Sequence, residues 1–183
     1  MIEIRAEHLH DVPARERLLD ACFAGNRRAR TSERLREGRR PARGLAFAAT
    51  RAGRLVGTLR LWHVEAGLAR AALLLGPLAV DPAIQGQGLG SVMMQAALGR
   101  AESLGHGAVL LVGDAPYYAR VGFDQALTEG LTLPGPFERA RFLGLELRKG
   151  GLAGAAGMVR PTGVIAPVEP VADEAVVARR RAA

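Results

Sequence analysis

The chain has 183 residues, which suits one domain of ordinary size, and its 49% hydrophobic residues suffice for a substantial core. Its formal charge of +7 would attract a polyanionic ligand, but no basic run interleaved with aromatic residues indicates nucleic-acid binding. The single cysteine excludes an internal disulfide framework, and no apolar run reaches the length of about 18 residues that a membrane span requires.

The N-terminal segment predicts a strand followed by a helix. The chain starts with alternating Ile2 and Ile4 rather than with the apolar segment of a signal peptide, so we expect a cytoplasmic protein without a membrane partner. Asp11 is typical of a helix cap, Pro13 suits the first helical turn, and Gly25 is expected to end the helix. The buried face of this helix is predicted to consist of Leu18, Leu19, Cys22 and Phe23.

A basic loop and an antiparallel meander are predicted next. The basic residues of the loop are Arg27, Arg28 and Arg30. Either Thr31 or Ser32 can cap a short second helix that runs to Arg36. Residues 44–50 and 55–64 predict two strands joined by a hairpin turn, and a third strand from Leu73 completes the meander.

The stretch 73–98 contains the strongest functional signal. Residues 73–80 are an apolar run typical of a buried strand, and Gly76-Pro77 within it predicts a bulge. The glycine-rich turn Gln85–Gly90 then leads directly into a helical pattern. A helix start offers unpaired N–H groups and the positive end of the helix dipole, and glycines allow a phosphate to approach the backbone. The stretch therefore predicts an anion site.

Three kinds of glycine loop compete for this turn. A P-loop needs Lys and then Ser or Thr after its last glycine, whereas Ser91-Val92 follows here. A dinucleotide fingerprint spaces its glycines differently and needs an acidic residue about 20 positions later, where this chain has Leu110. The pattern Gln85-x-x-Gly88-x-Gly90 instead resembles the Q/R-x-x-G-x-G/A pyrophosphate motif of the GNAT superfamily of N-acetyltransferases.

A second motif follows in the order that this family shows. Residues 108–112 predict a short strand that is parallel to the 73–80 strand, because a helical crossover joins the two. Asp114 is expected to cap a short helix containing Tyr118. The run Tyr118-x-x-x-Gly122-Phe123 looks like the Y-x-x-x-G-F signature near the end of acetyltransferase domains. The resemblance covers roughly residues 2–147.

The resemblance implies an α/β (α+β) fold. This GNAT fold has a mixed, mostly antiparallel sheet with a splayed pair of parallel strands, and helices flank it. We expect the acetyltransferase domain to span residues 1–149. Residues 150–183 would form a C-terminal extension that is loosely structured near Arg179–Arg181.

The family pattern also implies a reaction and its site. The protein would move an acetyl group from acetyl-CoA directly to a primary amine of a small molecule or protein, within a ternary complex and without a metal. Backbone N–H groups of the splayed strand would hold the thioester carbonyl, and Tyr118 would protonate the departing thiolate. The implied coenzyme-binding residues are Leu78, Ala79, Val80, Gln85, Gly86, Gln87, Gly88, Leu89, Gly90 and Ser91.

The acceptor side is less determined by the sequence. The resemblance places the loop with three arginines over the substrate cleft, where it would favour a carboxylate or phosphate; a solvated loop is the alternative. Residues 71–78 contain no carboxylate or histidine, so Asp81, Glu65, His63, a water chain or an already neutral amine remain open as the means of deprotonation. This gap leaves a second function open, an acyl-CoA-binding sensor that transfers nothing. A homodimer also remains open, and no nucleic-acid partner is expected.

Overall fold

The computed structural model describes residues 1–23 and 27–167, so the expectations for Gly25 and Arg179–Arg181 lie outside the described residues. Its α-helices are α1 (Val12–Cys22), α2 (Leu89–Ser103) and α3 (Ala115–Ala119). Its strands are β1 (Ile2–Ala6), β2 (Ala46–Arg51), β3 (Arg54–Glu65), β4 (Ala71–Val80), β5 (Ala108–Val112), β6 (Leu131–Thr132), β7 (Phe142–Glu146), β8 (Gly157–Met158) and β9 (Arg160–Pro161).

One mixed sheet organises the chain. Its strands follow the order β1-β2-β3-β4-β5-β7, and β9 also pairs with β3. All of these pairs are antiparallel except β4 with β5, which is parallel because α2 crosses over between them. The α+β architecture with a single parallel pair in this sheet confirms the fold expected from the sequence.

A bulge divides β4 into two halves. Leu59 pairs with Leu78 and Leu61 pairs with Leu75, so Gly76 and Pro77 both lie opposite one residue of β3. The extra residue changes which face the later side chains occupy. The indole Nε1 of Trp62, itself buried, donates a 2.6 Å hydrogen bond to the carbonyl of Gly76 and so ties the bulge to β3. The predicted bulge is confirmed.

The parallel strands separate beyond a short ladder. Only Leu73 with Val109 and Leu74 with Leu110 are paired between β4 and β5. After this point β4 continues to Val80 without β5, while β5 remains paired with β7 to its end at Val112. The result is a V-shaped opening whose walls are the second half of β4 and the end of β5.

Helices cover both faces of the sheet. The apolar side of α2, with Leu89, Met93 and Met94, packs in one core cluster with Leu73 and Leu75 of β4. On the opposite face, α1 packs Leu18 and Leu19 against Ala79, with Cys22 and Phe23 half-buried beside them. Both helices thus press against β4, which positions the opening between α1 and the start of α2. Most of the predicted buried face of α1 is therefore found.

Two predicted caps differ from the structure. Asp11 occupies the N-cap position of α1, but its carboxylate accepts hydrogen bonds from Arg5 and from the His8 backbone N–H instead of capping the helix. The expected second helix is a 3-10 helix, Thr31–Leu35, and its N-cap is Arg30 without a side-chain cap bond. The Asp11 carboxylate instead completes a capping box at the preceding turn, Leu9–Asp11, and the Thr31 hydroxyl donates to the carbonyl of Pro136.

Part of the predicted C-terminal extension, residues 157–161, forms short strands that pair with earlier strands. Strand β9 pairs with the end of β3, Pro161 opposite Val64 and Arg160 opposite Glu65, and β8 pairs with β6. The boundary between residues 149 and 150 stays a prediction. Across residues 1–23 and 27–167, no helix is long and apolar enough to cross a membrane.

Candidate functional site

The glycine-rich turn presents an uncapped helix start to a cavity. Gly88 is the N-cap of α2 with a φ of 84°, and no side chain caps the helix there. The first N–H groups of α2 therefore remain available for an anion. A cavity of about 460 Å³, called the turn cavity here, lies against them. Its lining residues are Leu78, Val80, Ile84, Gln85, Gly86, Gly88, Leu89, Gly90, Ser91, Tyr117, Tyr118 and Arg120.

In the second half of β4, the backbone groups of every other residue point into the V-shaped opening. The N–H of Asp81 donates to Val56 on β3, so the carbonyl of Val80 points the other way. There it accepts from Nε2 of Gln85 at 2.9 Å and from Sγ of Cys22 at 3.2 Å. Because residues two apart in a strand share direction, the N–H groups of Val80 and Leu78 both face the opening.

Two of the predicted coenzyme residues lie away from this cavity. Ala79 directs its backbone groups toward β3 and packs its side chain against α1, because it alternates with Leu78 and Val80. Gln87 is exposed and does not line the turn cavity. These two residues therefore lie outside the lining of the turn cavity, whereas the remaining predicted coenzyme residues line it.

Tyr118 faces the opening from α3. Asp114 caps this helix by accepting from the Tyr117 backbone N–H at 3.2 Å, as the sequence predicts. The Tyr118 ring packs over Gly113, where a Cβ would lie only 2.2 Å from the ring. Within the described part of the chain, its hydroxyl has no hydrogen-bond partner. Burial, and then the neighbouring Tyr117 and Asp114, raise the pKa of Tyr118 to about 12, so the hydroxyl is protonated at neutral pH.

Two residues that the motifs did not identify also line the turn cavity. The Tyr117 hydroxyl lies 3.4 Å from Oγ of Ser91 at the start of α2. The guanidinium of Arg120 stacks over the Tyr117 ring at 5.5 Å from its centre and adds positive charge beside the uncapped helix. Arg120 occupies an unspecified position of the Y-x-x-x-G-F signature, so the motif gave no signal for it.

Three neighbouring cavities lie across the bulge of β4, and we call them together the cleft. The turn cavity shares Leu78, Tyr117 and Tyr118 with a cavity inside the V-shaped opening, called the splay cavity here. The splay cavity in turn shares Arg27, Arg36 and Pro77 with a third cavity. We call this third one the arginine cavity, since its lining includes Arg15, Arg27, Arg28, Arg36 and Arg60. The cleft therefore runs from an uncapped helix start to a basic pocket.

The three predicted loop arginines lie at this cleft. Arg27 forms ion pairs with Glu16 and, at 2.8 Å, with Asp20. It lines both the arginine cavity and the splay cavity. Arg28 lines the arginine cavity, and Arg30 lines the splay cavity while stacking over Phe23 at 5.0 Å. Arg28 and Arg30 are also exposed to solvent, so the choice between a wall of the substrate cleft and a solvated loop stays a prediction.

None of the three candidate bases lines the cleft. Asp81 accepts from the Ala83 N–H at 3.0 Å and pairs with Arg54 at 2.9 Å, so it caps the loop after β4. His63 stacks near His106, 5.4 Å between ring centres, outside the three cavities, and Glu65 at the end of β3 also does not line them. The structure thus removes Asp81, Glu65 and His63 as groups that could contact an acceptor in this cleft.

Other carboxylates take their place. Glu16, Glu33 and Glu37 line the arginine cavity, and Asp114 lines the splay cavity. Burial raises the pKa of Glu16, but hydrogen bonds from Arg27 and Arg15 outweigh it and hold the pKa below the ordinary value. Glu16 is accordingly a poor proton acceptor. In the described ranges, no group of three or more His, Cys, Asp or Glu residues could hold a metal ion.

Comparison with known proteins gives one consistent result. The model of the acetyltransferase (GNAT) family matches residues 12–123, which include β4, the glycine-rich turn and α3. The uncharacterized N-acetyltransferase YhbS of Escherichia coli (strain K12) is 30% identical over 157 residues, or 85% of this chain and 93% of that protein.

Two solved structures share the architecture. The GNAT family N-acetyltransferase YhbS from Escherichia coli, in complex with CoA, aligns with a TM-score of 0.75 and 29% identity over 88% of this chain and 89% of that one. A GNAT family acetyltransferase from Brucella melitensis, in complex with acetyl-CoA, aligns with a TM-score of 0.60 and 25% identity over 80% of this chain and 88% of that one.

Proposed function

The chain belongs to the acetyltransferase (GNAT) family, and on this premise we propose that it transfers an acetyl group from acetyl-CoA to a primary amine. One observation supports this most strongly. The uncapped start of α2, the inward N–H groups of β4 and the unpartnered hydroxyl of Tyr118 all face the same cleft. The solved YhbS and Brucella melitensis relatives are complexes with CoA and acetyl-CoA, which supports the choice of co-substrate.

The pyrophosphate of the coenzyme would bind at the glycine-rich turn. Apart from the adjacent residues, no heavy atom of residues 1–23 and 27–167 lies within 4 Å of the Cβ position at Gly86 or Gly88, so the described structure leaves the space over the turn open. The N–H groups at the start of α2 would donate to the phosphate oxygens, with the positive end of the helix dipole adding to the attraction. Arg120 would supply a full positive charge beside them.

The thioester would lie at the junction of the turn and splay cavities. Leu78 lines both cavities, and its N–H faces the opening, so it can donate to the thioester carbonyl and to the oxyanion that develops there. Holding the amine and thioester in line can contribute up to about 7–11 kcal/mol. The neutral amine attacks the carbonyl carbon, and the carbon–sulfur bond breaks.

Tyr118 would protonate the departing sulfur. Its hydroxyl has no partner among the described residues, and a pKa of about 12 means that it carries its proton at neutral pH and can donate it to the sulfur as the carbon–sulfur bond breaks. The tyrosinate then recovers a proton from solvent, and the proton of the attacking amine leaves through water or a carboxylate of the arginine cavity. General acid catalysis of this kind typically contributes about 10²–10⁴-fold to the rate.

Coenzyme selectivity tests the binding half of this proposal. Acetyl-CoA at about 100 times its Kd should stabilise the folded protein by about 2.7 kcal/mol, whereas NAD and ATP should shift the melting temperature much less. Equal shifts from the three ligands would exclude a coenzyme A site at the turn. Selective binding without transfer to any amine would instead support a non-catalytic acyl-CoA sensor.

A further inference from the structure

Two guanidiniums of the arginine cavity differ from their neighbours. Arg28 is exposed and has no acceptor among the described residues, whereas Arg36 is largely buried and only one of its nitrogens is paired. Arg15 and Arg60 both pair with the buried carboxylate of Glu7, and Arg15 also pairs with Glu16 at 2.7 Å. Arg27 is likewise held by two carboxylates. These arginines have acceptors within the protein and so mainly stabilise the fold.

Arg36 is buried but only partly paired. Its side chain is 10% exposed, and Nε donates to Glu33 at 2.6 Å. Among residues 1–23 and 27–167, Nη1 and Nη2 find no hydrogen-bond acceptor. Burial lowers the pKa of Arg36, and the nearby Arg27 and Arg30 add to this effect, while Glu33 opposes it. Part of this largely buried guanidinium therefore has no acceptor in the described protein, and the oxygens of an anion would supply one.

The free end of Arg36 lies next to the proposed thioester site. Nη1 is 3.7 Å from the Cβ position of Gly76, and the N–H nitrogen of Leu78 is 4.0 Å from the same point. The two groups are thus no more than about 8 Å apart. Arg36 lines both the splay and the arginine cavities, and Gly76, near which Nη1 lies, also lines the splay cavity.

We propose that Arg36 binds a carboxylate on the acceptor, so that the substrate is an amine with a carboxylate close to the reacting nitrogen, as in an α-amino acid. This inference rests on the proposed acetyl transfer. A planar guanidinium with two free nitrogens matches the two oxygens of a carboxylate. The short distance to Leu78 leaves room for only a few atoms between that carboxylate and the amine. Arg36 is a specificity-determining residue and takes no part in bond breaking.

Matched substrates test the proposal on the unmodified protein. Free thiol release from acetyl-CoA is measured with the common amino acids, with their carboxamides and with simple alkyl amines. We expect kcat/KM to be about 10- to 100-fold higher for the best amino acid than for its carboxamide, the range that follows from losing a hydrogen bond to a charged group. Carboxamides or alkyl amines used equally well would overturn the assignment while leaving acetyl transfer established.

Variants of Arg36 test whether this residue binds the carboxylate of the acceptor. Arg36→Gln should remove the preference, so that the ratio of kcat/KM values approaches one, and Arg36→Lys should restore part of it. Arg17→Gln removes the same charge from an exposed position on α1 and should leave the ratio unchanged. If Arg36→Gln retains the wild-type preference, the proposal is wrong.

A binding measurement separates this proposal from the transfer reaction. In the presence of CoA, an amino acid should raise the melting temperature of the wild-type protein and its carboxamide should not. If no amine is acetylated but this difference is found, the transfer reaction fails and the carboxylate site stands. If the difference is absent and no amine is acetylated, both are wrong.

Discussion

Replacing Gly88 with alanine separates the binding role of the turn from its effect on stability. Gly88 has a φ of 84°, a left-handed conformation that costs an L-residue about 1–2 kcal/mol. In the described part of the chain, no heavy atom other than those of the adjacent residues lies within 4 Å of the new Cβ position, so we add no steric cost. For a domain of this size, we expect a fall in melting temperature of about 2–8 °C.

Gly53 provides a matched control for the backbone cost. It lies in the hairpin turn between β2 and β3 and has a φ of 76°. Its Cβ position is likewise free of contacts within 4 Å from the described residues other than its chain neighbours. Gly53→Ala should therefore lower the melting temperature by a similar amount. Any additional effect of Gly88→Ala on acetyl-CoA then comes from the space over the turn, which a methyl group would take from the pyrophosphate.

Isothermal titration with acetyl-CoA distinguishes the two variants. We expect Gly88→Ala to bind at least about tenfold more weakly, which corresponds to about 1.4 kcal/mol, and Gly53→Ala to bind as the wild type does. If Gly88→Ala keeps wild-type affinity, the turn does not hold the pyrophosphate. If Gly53→Ala loses affinity equally, the effect is a general consequence of destabilisation.

Three further changes have distinct expected outcomes. Tyr118→Phe should lower kcat by about 10²-fold or more with little change in acetyl-CoA affinity. Tyr117→Phe, which loses the 3.4 Å contact with Ser91, should mainly raise the KM for acetyl-CoA. Stopped assays of both variants check this, and full turnover by Tyr118→Phe would exclude Tyr118 as the general acid. The pKa of Tyr118 is raised to about 12, so its hydroxyl stays protonated between pH 6 and pH 10. In that range the rate of acetyl transfer should rise as the amine loses its proton. A decline in the rate there would contradict the role of Tyr118 as the general acid. The hydrogen bond from Arg5 holds the pKa of Asp11 below its ordinary value. The ionised carboxylate therefore stabilises the fold above about pH 4, the pKa in the unfolded state, and this stabilisation is lost as the pH falls further. Asp11→Asn should lower the free energy of unfolding in urea more at pH 7 than at pH 3, and an equal decrease at both pH values would refute the ion pair.

Local patterns were enough to predict the elements of the proposed coenzyme site. The glycine-rich turn, the start of α2 and the Gly76-Pro77 bulge depend on backbone preferences of a few adjacent residues, and the structure has all three. The parallel pairing of β4 and β5 follows from the length of the crossover. Such features are encoded within one stretch of chain.

The acceptor side could not be predicted in this way. Arg36 is distant in sequence from Leu78 and approaches it only because the 3-10 helix and the β4 bulge meet in space. Ion pairs determine which arginines keep nitrogens free to bind a substrate. The sequence does not show that Glu7 forms ion pairs with both Arg15 and Arg60. The same reason explains why His63 and Asp81 were reasonable candidates from sequence but lie away from the cleft.

The most direct test of the central claim is the stoichiometry of transfer by the wild-type protein. Free thiol from acetyl-CoA and acetylated amine are measured together, by absorbance and by mass spectrometry, with and without the acceptor panel. The account predicts amine-dependent thiol release with one acetylated amine formed for each thiol. Acetyl-CoA binding with no amine-dependent release across the panel would contradict it.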